Sequence, residues 1–385
     1  MNSKVETLPN ETEQKSEQQS ALYLIGKLSL TVILLYIFLV GVSSLSGGLK
    51  MMGSDFAKTL FDISGQPFVG LMAGMLATVL FQSSSVTTSI IVGLVSAGTI
   101  SISGAVPLIM GANLGTSVTN TLVSLGYLND KASFKRAFAA ATVHDFFNII
   151  SVAILLPLEL ATGFIQKAAT YLSSMLYGTS AGLSYKSPIK AMIKPPVKAL
   201  KATLIDISGD LAPALMIIAA GIIIISALTL IVKNMKVLVE SNKSGIIDKV
   251  LTKNAIFSIL FGVFVTISVQ SSSITTSLLV PMAGAGVLTL ESIYPVTIGA
   301  NIGTTATALL ASMTGNIAGL TIALVHLIFN IMGMVILFPM PLLRELPLKC
   351  SRYLATLVEK SKLYGIAYIA IVFFILPLTL VFLNQ

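Results

Sequence analysis

Two copies of the tetrapeptide Gln-Ser-Ser-Ser, Gln82–Ser85 (tip 1) and Gln270–Ser273 (tip 2), interrupt long apolar segments of the chain. Their neighbours repeat as well, since tip 1 lies in FQSSSVTTS and tip 2 lies in VQSSSITTS. A second pair of blocks, GANLGT from Gly111 and GANIGT from Gly299, keeps the same separation of 188 residues (82 to 270, 111 to 299). The chain therefore contains a duplicated unit, and its most polar sequences occupy matching places.

The apolar composition of the chain indicates a membrane protein built from helices. Of its 385 residues, 55% are hydrophobic and only 10% are charged, whereas soluble domains average roughly 25% charged residues. Several apolar stretches are long enough to span a hydrocarbon layer about 30 Å thick. The net charge of +8 is then expected to come from loop lysines and arginines that set topology, not from a nucleic-acid interface. The single cysteine excludes an internal disulfide.

The apolar segments around each tip predict a re-entrant helical hairpin. As helices, the flanks 67–81 and 86–100 would each be about 22 Å long, too short to cross the bilayer. Joined into one helix they would be too long and would carry a polar middle. A hairpin with the serines at its tip fits instead, provided that the tip is buried in protein or lines an aqueous cavity. The second hairpin is predicted over 256–287.

The remaining apolar segments predict about seven full crossings and an inverted repeat. Each repeat holds three crossings and one hairpin, so the second repeat starts on the opposite side of the membrane, as in many transporters. Lysine and arginine are more frequent in the segments predicted to lie inside, which favours a cytoplasmic N-terminus. The predicted crossings are 21–45, 105–125, 137–158, 211–232, 293–313, 317–338 and 364–382. The predicted regions are a disordered polar tail (1–20), repeat 1 (21–160), an amphipathic connector (161–205), repeat 2 (206–340), and a basic loop with a C-terminal helix (341–385).

The polar side chains of the two tips can bind an anion and a cation side by side. Serine hydroxyls, a glutamine amide and the free N–H groups of a broken helix suit an oxyanion, and hydroxyl and carbonyl oxygens suit an alkali cation. The alternative is that the serines only hydrogen-bond across helices, but their duplication at matching positions favours binding. The predicted substrate contacts are Gln82, Ser83, Ser84, Ser85, Gln270, Ser271, Ser272 and Ser273.

The two Gly-Ala-Asn-x-Gly-Thr blocks predict a local unwinding of a crossing helix, because glycine destabilises helices by about 1 kcal/mol. The alternative is that their small residues serve tight helix packing. Further candidates for contacts with sodium or substrate lie in or directly after the blocks: Asn113, Thr116, Ser117, Thr119, Asn301, Thr304, Thr305 and Thr307.

A third pair of matches, VHDFFN from Val143 and VHLIFN from Val325, places a histidine within each repeat. The favoured interpretation of His144 and His326 is structural, with a site role as the alternative. Asp145 has no acidic counterpart, since Leu327 occupies the matching position. It is a candidate cation ligand or proton acceptor, unless it is solvated near a membrane face.

Sequences typical of enzymes and ATP-driven pumps are missing. The chain has no Gly-x-x-x-x-Gly-Lys-[Ser/Thr] loop, no Cys/His cluster and no His-Glu-x-x-His sequence. Neither histidine lies near the serines in sequence, so the tips lack an obvious catalytic base. We therefore expect no enzymatic activity and no cofactor other than Na+ as a coupling ion.

The paired Gln-Ser-Ser-Ser sequences, each followed by Gly-[Ala/Ser]-Asn-x-Gly-Thr, resemble those of the type II sodium–phosphate cotransporters of kidney and intestine and their bacterial relatives. The resemblance covers about residues 21–338. It implies sodium-coupled uptake of inorganic phosphate across the cell membrane, with both tips in the substrate and sodium region. By the same matching, Thr304 and Thr307 would join Gln270 and Ser271 in a sodium site. The short connector lacks the cysteine-bearing loop of animal members, so we expect a prokaryotic protein in the lipid bilayer, with a homodimer as the candidate assembly.

Two other functions remain open from the sequence. A symporter for another oxyanion, such as sulfate, arsenate or a dicarboxylate, would use the same groups. An anion-selective channel would use the two hairpins as a filter. A scaffold without transport would leave the duplicated polar residues, which are costly to bury, without a purpose.

Overall fold

The computed structural model describes residues 11–52, 65–178, 188–241 and 254–383. In those residues the chain is almost entirely helical and contains no β-strand. The helices are α1 (Glu11–Met51), α2 (Pro67–Phe81), α3 (Ser84–Ala97), α4 (Ile102–Gly115), α5 (Val118–Ser124), α6 (Lys131–Thr162), α7 (Phe164–Gly178), α8 (Pro188–Ser208), α9 (Ala212–Ser241), α10 (Ala255–Val269), α11 (Ser272–Ser277), α12 (Leu279–Gly284), α13 (Leu290–Ser312), α14 (Ile317–Leu337), α15 (Pro341–Lys360) and α16 (Lys362–Leu383).

Five helical stretches in the described part of the chain are long and apolar enough to cross a membrane: Ile25–Met51, Lys131–Thr162, Ala191–Ile231, Ile317–Leu337 and Lys362–Leu383. The chain is therefore a multi-pass membrane protein. Two predicted crossings are not among the five. The crossing at 105–125 is divided between α4 and α5, and the one at 293–313 lies in α13, which is rich in threonine and glycine.

The first helix begins earlier than the sequence predicts. Residues 1–10 lie outside the described residues, but α1 is already helical from Glu11, so the predicted disordered tail does not extend over 11–20. The physical reason is that Glu, Gln and Lys are good helix formers, and they extend an apolar helix that packing against α9 stabilises.

The chain breaks at both tips, as the short apolar flanks predict. Tip 1 separates α2 from α3, and tip 2 separates α10 from α11. The helical segment after tip 2 is interrupted again at Leu278. Helices α11 and α12 together therefore correspond to the single helix α3 of the first copy. Both tips thus connect two helices that are too short to cross a bilayer alone.

Close glycine contacts dock each helix that precedes a tip onto the helix that carries the asparagine block. A Cβ atom at any of these glycines would overlap a backbone carbonyl oxygen of the facing helix, so only glycine permits this approach. The same contacts recur 188 residues apart in both copies. The contacts are Gly74 with Leu108 and Gly111 with Leu71 between α2 and α4, and Gly262 with Val296 and Gly299 with Ile259 between α10 and α13.

The other helices surround this duplicated centre. Helix α1 packs along α9, α15 packs along α6, and α7 packs on α14 through a hydrogen bond between the Ser173 and Thr321 hydroxyls (2.7 Å). At one end of the α6–α15 pair, Lys135 forms an ion pair with Glu359 (2.7 Å). Many large apolar side chains of the outer helices are exposed, as expected for surfaces that face lipid.

Candidate functional site

The glutamine that opens each tip adopts a left-handed backbone conformation. Gln82 has φ 52° and Gln270 has φ 57°, and no other non-glycine residue in the described part of the chain has a positive φ. Each glutamine ends the preceding helix. A left-handed conformation costs an ordinary residue roughly 1–2 kcal/mol, so both tips carry the same local backbone strain.

Both glutamine side chains are held by the same pair of hydrogen bonds. In each, Nε2 donates to the carbonyl oxygen three residues earlier, Val79 in tip 1 and Ile267 in tip 2 (both 2.6 Å). The Oε1 atom of Gln82 accepts a hydrogen bond from Thr119 (3.2 Å), and that of Gln270 accepts one from Thr307 (2.9 Å). The structure thus brings each glutamine together with one threonine predicted from the sequence.

The serines of each tip start the following helix. The first serine, Ser83 or Ser271, accepts a hydrogen bond from the backbone N–H three residues later (3.3 Å) and so caps the helix. The serines after it, Ser84 and Ser272, are buried.

The two tips meet each other in the centre of the protein. The Ser85 hydroxyl donates to the carbonyl oxygen of Gln270 (3.2 Å) and lies 3.3 Å from the Thr307 hydroxyl. In return, the Ser273 hydroxyl donates to the carbonyl oxygen of Thr116 (3.4 Å). Each tip therefore contacts the half of the chain that carries the other tip.

The two tips differ in their access to the surroundings. The Gln82 side chain is exposed, whereas Gln270 is only 7% exposed. The difference concerns the glutamines alone, because Ser83 and Ser271 are both partly exposed and the two serines that follow are buried in both tips. The two equivalent glutamines thus occupy unequal environments.

Asparagine and histidine side chains join the two repeats behind the tips. His144 Nε2 lies 2.5 Å from Asn301 Oδ1, and in the matching contact His326 Nε2 lies 3.4 Å from Asn113 Oδ1. Asn148 Oδ1 accepts hydrogen bonds from Asn113 (2.9 Å) and Asn301 (2.6 Å). These side chains are all buried. Both histidines are hydrogen-bonded within the network, in line with the structural interpretation.

The predicted unwinding holds in only one of the two asparagine blocks. Helix α4 ends at Gly115, and the chain turns at Thr116 and Ser117 before α5. In the second copy, α13 continues without a break, so the prediction of unwinding there is wrong. The glycines of α13 pack against α10, and Thr304 and Thr305 donate to carbonyl oxygens of their own helix (3.0 and 2.7 Å), so glycine and threonine in this block are compatible with a continuous helix.

Asn120 was not predicted from the sequence, although it links tip 2 to the histidine network. Its Oδ1 atom accepts hydrogen bonds from Thr276 (2.9 Å) and Ser277 (3.0 Å) of α11, and its Nδ2 atom lies 3.4 Å from His144 Nδ1. The matching residue of the second copy is Ala308, and His326 Nδ1 has no hydrogen-bond partner in the part of the chain that the structure describes. A position-by-position comparison of the two repeats would have identified this residue.

Asp145 is only 1% exposed, so the alternative of a solvated carboxylate is wrong. Its Oδ2 atom accepts hydrogen bonds from Tyr368 (2.8 Å) and Thr121 (3.4 Å), whereas Oδ1 has no hydrogen-bond partner among the described residues. The Ser117 hydroxyl lies beside the same carboxyl group and donates to the carbonyl oxygen of Leu114 (3.1 Å). One oxygen of this buried carboxyl group thus makes no hydrogen bond within the described part of the chain, although three hydroxyl groups lie near the carboxyl group.

Comparison with known proteins identifies the family. The family described as Na+/Pi-cotransporter matches residues 37–181 and 214–346, which include both tips and both asparagine blocks. The chain belongs to the Na+/Pi-cotransporter family. It is 33% identical to sodium-dependent phosphate transport protein 2A of Rattus norvegicus, over 96% of this chain and 70% of that protein. It is 32% identical to sodium-dependent phosphate transport protein 2B of Homo sapiens, over 92% of this chain and 65% of that protein. No solved structure matches the chain.

This Na+/Pi-cotransporter family member carries all its sequence-predicted site residues within the two matched ranges. Tyr368 lies beyond them, in α16. The family consists of transporters, which agrees with the expectation that the chain is not an enzyme. The predicted prokaryotic origin stays a prediction.

Proposed function

We propose that this protein carries inorganic phosphate into the cell together with Na+, by alternating access to a site between tips 1 and 2. Membership of the Na+/Pi-cotransporter family supports the substrate and the coupling ion. The observation that carries the proposed site is the contact of Ser85 with Gln270 and Thr307. This contact joins the two duplicated tips at one point. The chain spans 65–70% of the relatives named above.

The groups at the tips fit phosphate only if a cation accompanies it. Hydroxyl and amide groups of Gln82, Ser83, Ser84, Ser85, Gln270, Ser271, Ser272 and Ser273 would donate to the phosphate oxygens. No lysine or arginine hydrogen-bonds to either tip among the described residues. In a site of low dielectric constant, uncompensated anionic charge is costly, so a bound Na+ beside the phosphate would lower the free energy of both.

The oxygen atoms around Gln270 are the best-supported sodium ligands. Gln270 Oε1, Thr307 Oγ1 and Ser85 Oγ lie within hydrogen-bonding distance along one chain of contacts, and all three residues are buried. Hydroxyl and amide oxygens are ligands that suit a hard cation. Asp145, whose Oδ1 atom has no hydrogen-bond partner among the described residues, is a second place for a cation or a proton, and repeat 2 has Leu327 at the matching position.

The membrane arrangement of the proposal is two inverted repeats, each with a re-entrant hairpin, and a cytoplasmic N-terminus. The repeated glycine contacts support two equivalent units, and the unequal exposure of Gln82 and Gln270 supports a site open to one side at a time. Exchange of these two environments would move the bound ions from one side of the membrane to the other. The homodimer stays a prediction.

Uptake of radiolabelled phosphate into proteoliposomes tests the function. The wild-type protein should accumulate phosphate above its external concentration under an inward Na+ gradient and not under a K+ gradient. Ser83→Ala and Ser271→Ala should each abolish the accumulation. Ser268→Ala is the matched control, because its hydroxyl donates to Phe264 of its own helix (2.8 Å) and transport should persist.

The same vesicles separate the alternatives. Flux that only equilibrates phosphate, or that ignores sodium, would point to the anion channel and contradict symport. Competition by sulfate, arsenate or a dicarboxylate at concentrations equal to phosphate would point to a different oxyanion. Transport that survives both tip substitutions would place the substrate elsewhere.

A further inference from the structure

Helix α16 lies outside both repeats, yet it reaches a buried carboxylate of repeat 1. The helix follows the matched family region and is mostly apolar and lipid-exposed, with large side chains such as Leu363, Ile366 and Phe382 at its surface. Tyr368 is an exception, because its hydroxyl donates to Asp145 Oδ2 at 2.8 Å. A helix that served only as a membrane anchor would not need this contact.

The tyrosine ring is held in place by three aromatic neighbours. Its centroid lies 6.3 Å from that of Phe138, 6.2 Å from that of Phe146 and 6.0 Å from that of Phe373. Two of the contacts are edge-to-face, the arrangement that aromatic pairs prefer. The phenol therefore approaches Asp145 from a fixed direction, as expected of a group that orients a carboxylate.

Two local features of α16 make this approach specific. Gly365 packs beside Phe138, where an added Cβ atom would lie 3.2 Å from the ring. Three residues after Tyr368 a π-helical turn begins, Ile371–Ile375. This turn contains Phe373, which packs on the tyrosine ring. Such turns occur often at functional sites, since the extra residue changes which side chains face inward.

The Asp145 carboxylate, to which Tyr368 donates, has a second oxygen atom, Oδ1, that Tyr368 does not contact. Tyr368 makes the short hydrogen bond to Oδ2 (2.8 Å), and the Thr121 hydroxyl, which also donates to the Ser117 carbonyl oxygen (3.2 Å), lies 3.4 Å from the same atom. Oδ1 is buried and has no hydrogen-bond partner among the described residues. In the second repeat, Leu327 replaces Asp145, and Leu309 replaces Thr121. The Tyr368 hydroxyl thus hydrogen-bonds to a carboxylate that has no counterpart in the second repeat.

We propose that Tyr368 is a positioning residue for cation binding at Asp145, so that the C-terminal helix sets the sodium dependence of transport. The inference rests on the proposed function, in which Asp145 receives a cation. The phenol hydroxyl binds Oδ2 of the carboxylate and directs Oδ1 to the cation. Without it, the carboxylate can rotate, and the fixed ligand direction is lost. A hydrogen bond to a charged group contributes enough free energy to change an affinity about tenfold or more.

The test is the sodium dependence of phosphate uptake in proteoliposomes for Tyr368→Phe, Asp145→Asn and the double variant. Phenylalanine keeps the ring and its three aromatic contacts and removes only the hydroxyl. The sodium concentration for half-maximal uptake should rise about tenfold in Tyr368→Phe, with the maximal rate within about twofold of the wild type. In the Asp145→Asn background, Tyr368→Phe should change nothing further, because the two residues act as one unit.

Tyr364→Phe is the matched control, since Tyr364 is half-exposed on the same helix. The sodium dependence of uptake by this variant should equal that of the wild type. Thermal unfolding of the detergent-purified variants in NaCl and in choline chloride adds a readout without transport, because a bound cation stabilises the folded state. The stabilisation by sodium should be smaller in Tyr368→Phe. An unchanged sodium dependence in both assays, or effects of Tyr368→Phe and Asp145→Asn that add, would overturn the inference. Absence of sodium-driven uptake in the wild type would instead contradict the proposed function, and the thermal assay would still report on Tyr368.

Discussion

Replacement of Gln270 by glycine and by alanine separates the backbone strain of tip 2 from the role of its side chain. Gln270 has φ 57°, and this conformation costs a residue with a Cβ atom roughly 1–2 kcal/mol. Its amide also makes hydrogen bonds to Ile267 (2.6 Å) and Thr307 (2.9 Å), each with a net contribution of about 0.5–1.5 kcal/mol. Both substitutions remove these bonds, but only glycine relieves the strain.

The expected order of stability is therefore Gln270→Gly above Gln270→Ala. Glycine loses about 0.4–1 kcal/mol through the greater freedom of the unfolded chain, so the net advantage over alanine is on the order of 0.5–1 kcal/mol. Because the relieved strain offsets only part of the lost hydrogen bonding, Gln270→Gly should unfold below the wild-type temperature and above that of Gln270→Ala. Sodium-dependent phosphate uptake should nevertheless be lost in both variants, since both lack the amide.

Thermal unfolding in detergent and uptake in proteoliposomes measure the two effects separately. Gln166 in α7 is the control, because it lies in a regular helix, where the order should reverse and alanine should be more stable than glycine by about 1 kcal/mol. A Gln270→Ala protein more stable than Gln270→Gly would refute the strained conformation. Uptake that persists in Gln270→Gly would refute a binding role for the amide.

Two further predictions concern the packing behind the tips. Gly299→Ala should prevent accumulation of folded protein, because the added Cβ atom would overlap the Ile259 carbonyl oxygen. Gly221→Ala should be tolerated, because a Cβ atom there would have no described atom within 4 Å. The yields of monodisperse protein after size-exclusion chromatography measure the difference. Asn120→Ala should lower the free energy of unfolding by about 1–3 kcal/mol, because Thr276, Ser277 and His144 lose a buried partner. An unfolding curve equal to that of the wild type would contradict the link between Asn120 and the helix after tip 2.

The positions of both tips could be predicted because their signal is local. Apolar flanks too short to cross a bilayer, with a polar tetrapeptide between them, allow few arrangements, and the chain does break at Gln82 and Gln270. The pairing of each glutamine with a threonine of the following block follows from the same duplication. The function predicted from the paired sequences agrees with the family.

The continuous α13 could not be predicted, because glycine has two opposite uses in a membrane helix. It weakens the helix, which suggests unwinding, and it permits close packing, which holds the helix against α10. Gly299 packs against the backbone of α10 at Ile259, a contact that depends on another part of the sequence. Repeat 1 carries the same glycines and still breaks after Gly115, so composition alone does not distinguish the two cases.

Tyr368 and Asn120 were missed for a different reason. Tyr368 contacts Asp145 across 223 positions of sequence, and it lies in a helix with no counterpart in the repeats. Asn120 has Ala308 as its counterpart, so a search for repeated residues passes over it. In both cases the functional candidates are the places where the two halves of the protein differ.

Equilibrium binding to the purified protein tests the shared site for cation and anion most directly. Radiolabelled phosphate would be titrated at increasing NaCl, with KCl at constant ionic strength, and sodium binding would be measured with and without phosphate. Sodium should raise the affinity for phosphate by a factor in the range of about 5–150, and phosphate should raise the affinity for sodium by the same factor. Phosphate affinity that is equal in sodium and in potassium would contradict a site in which the two ions bind side by side.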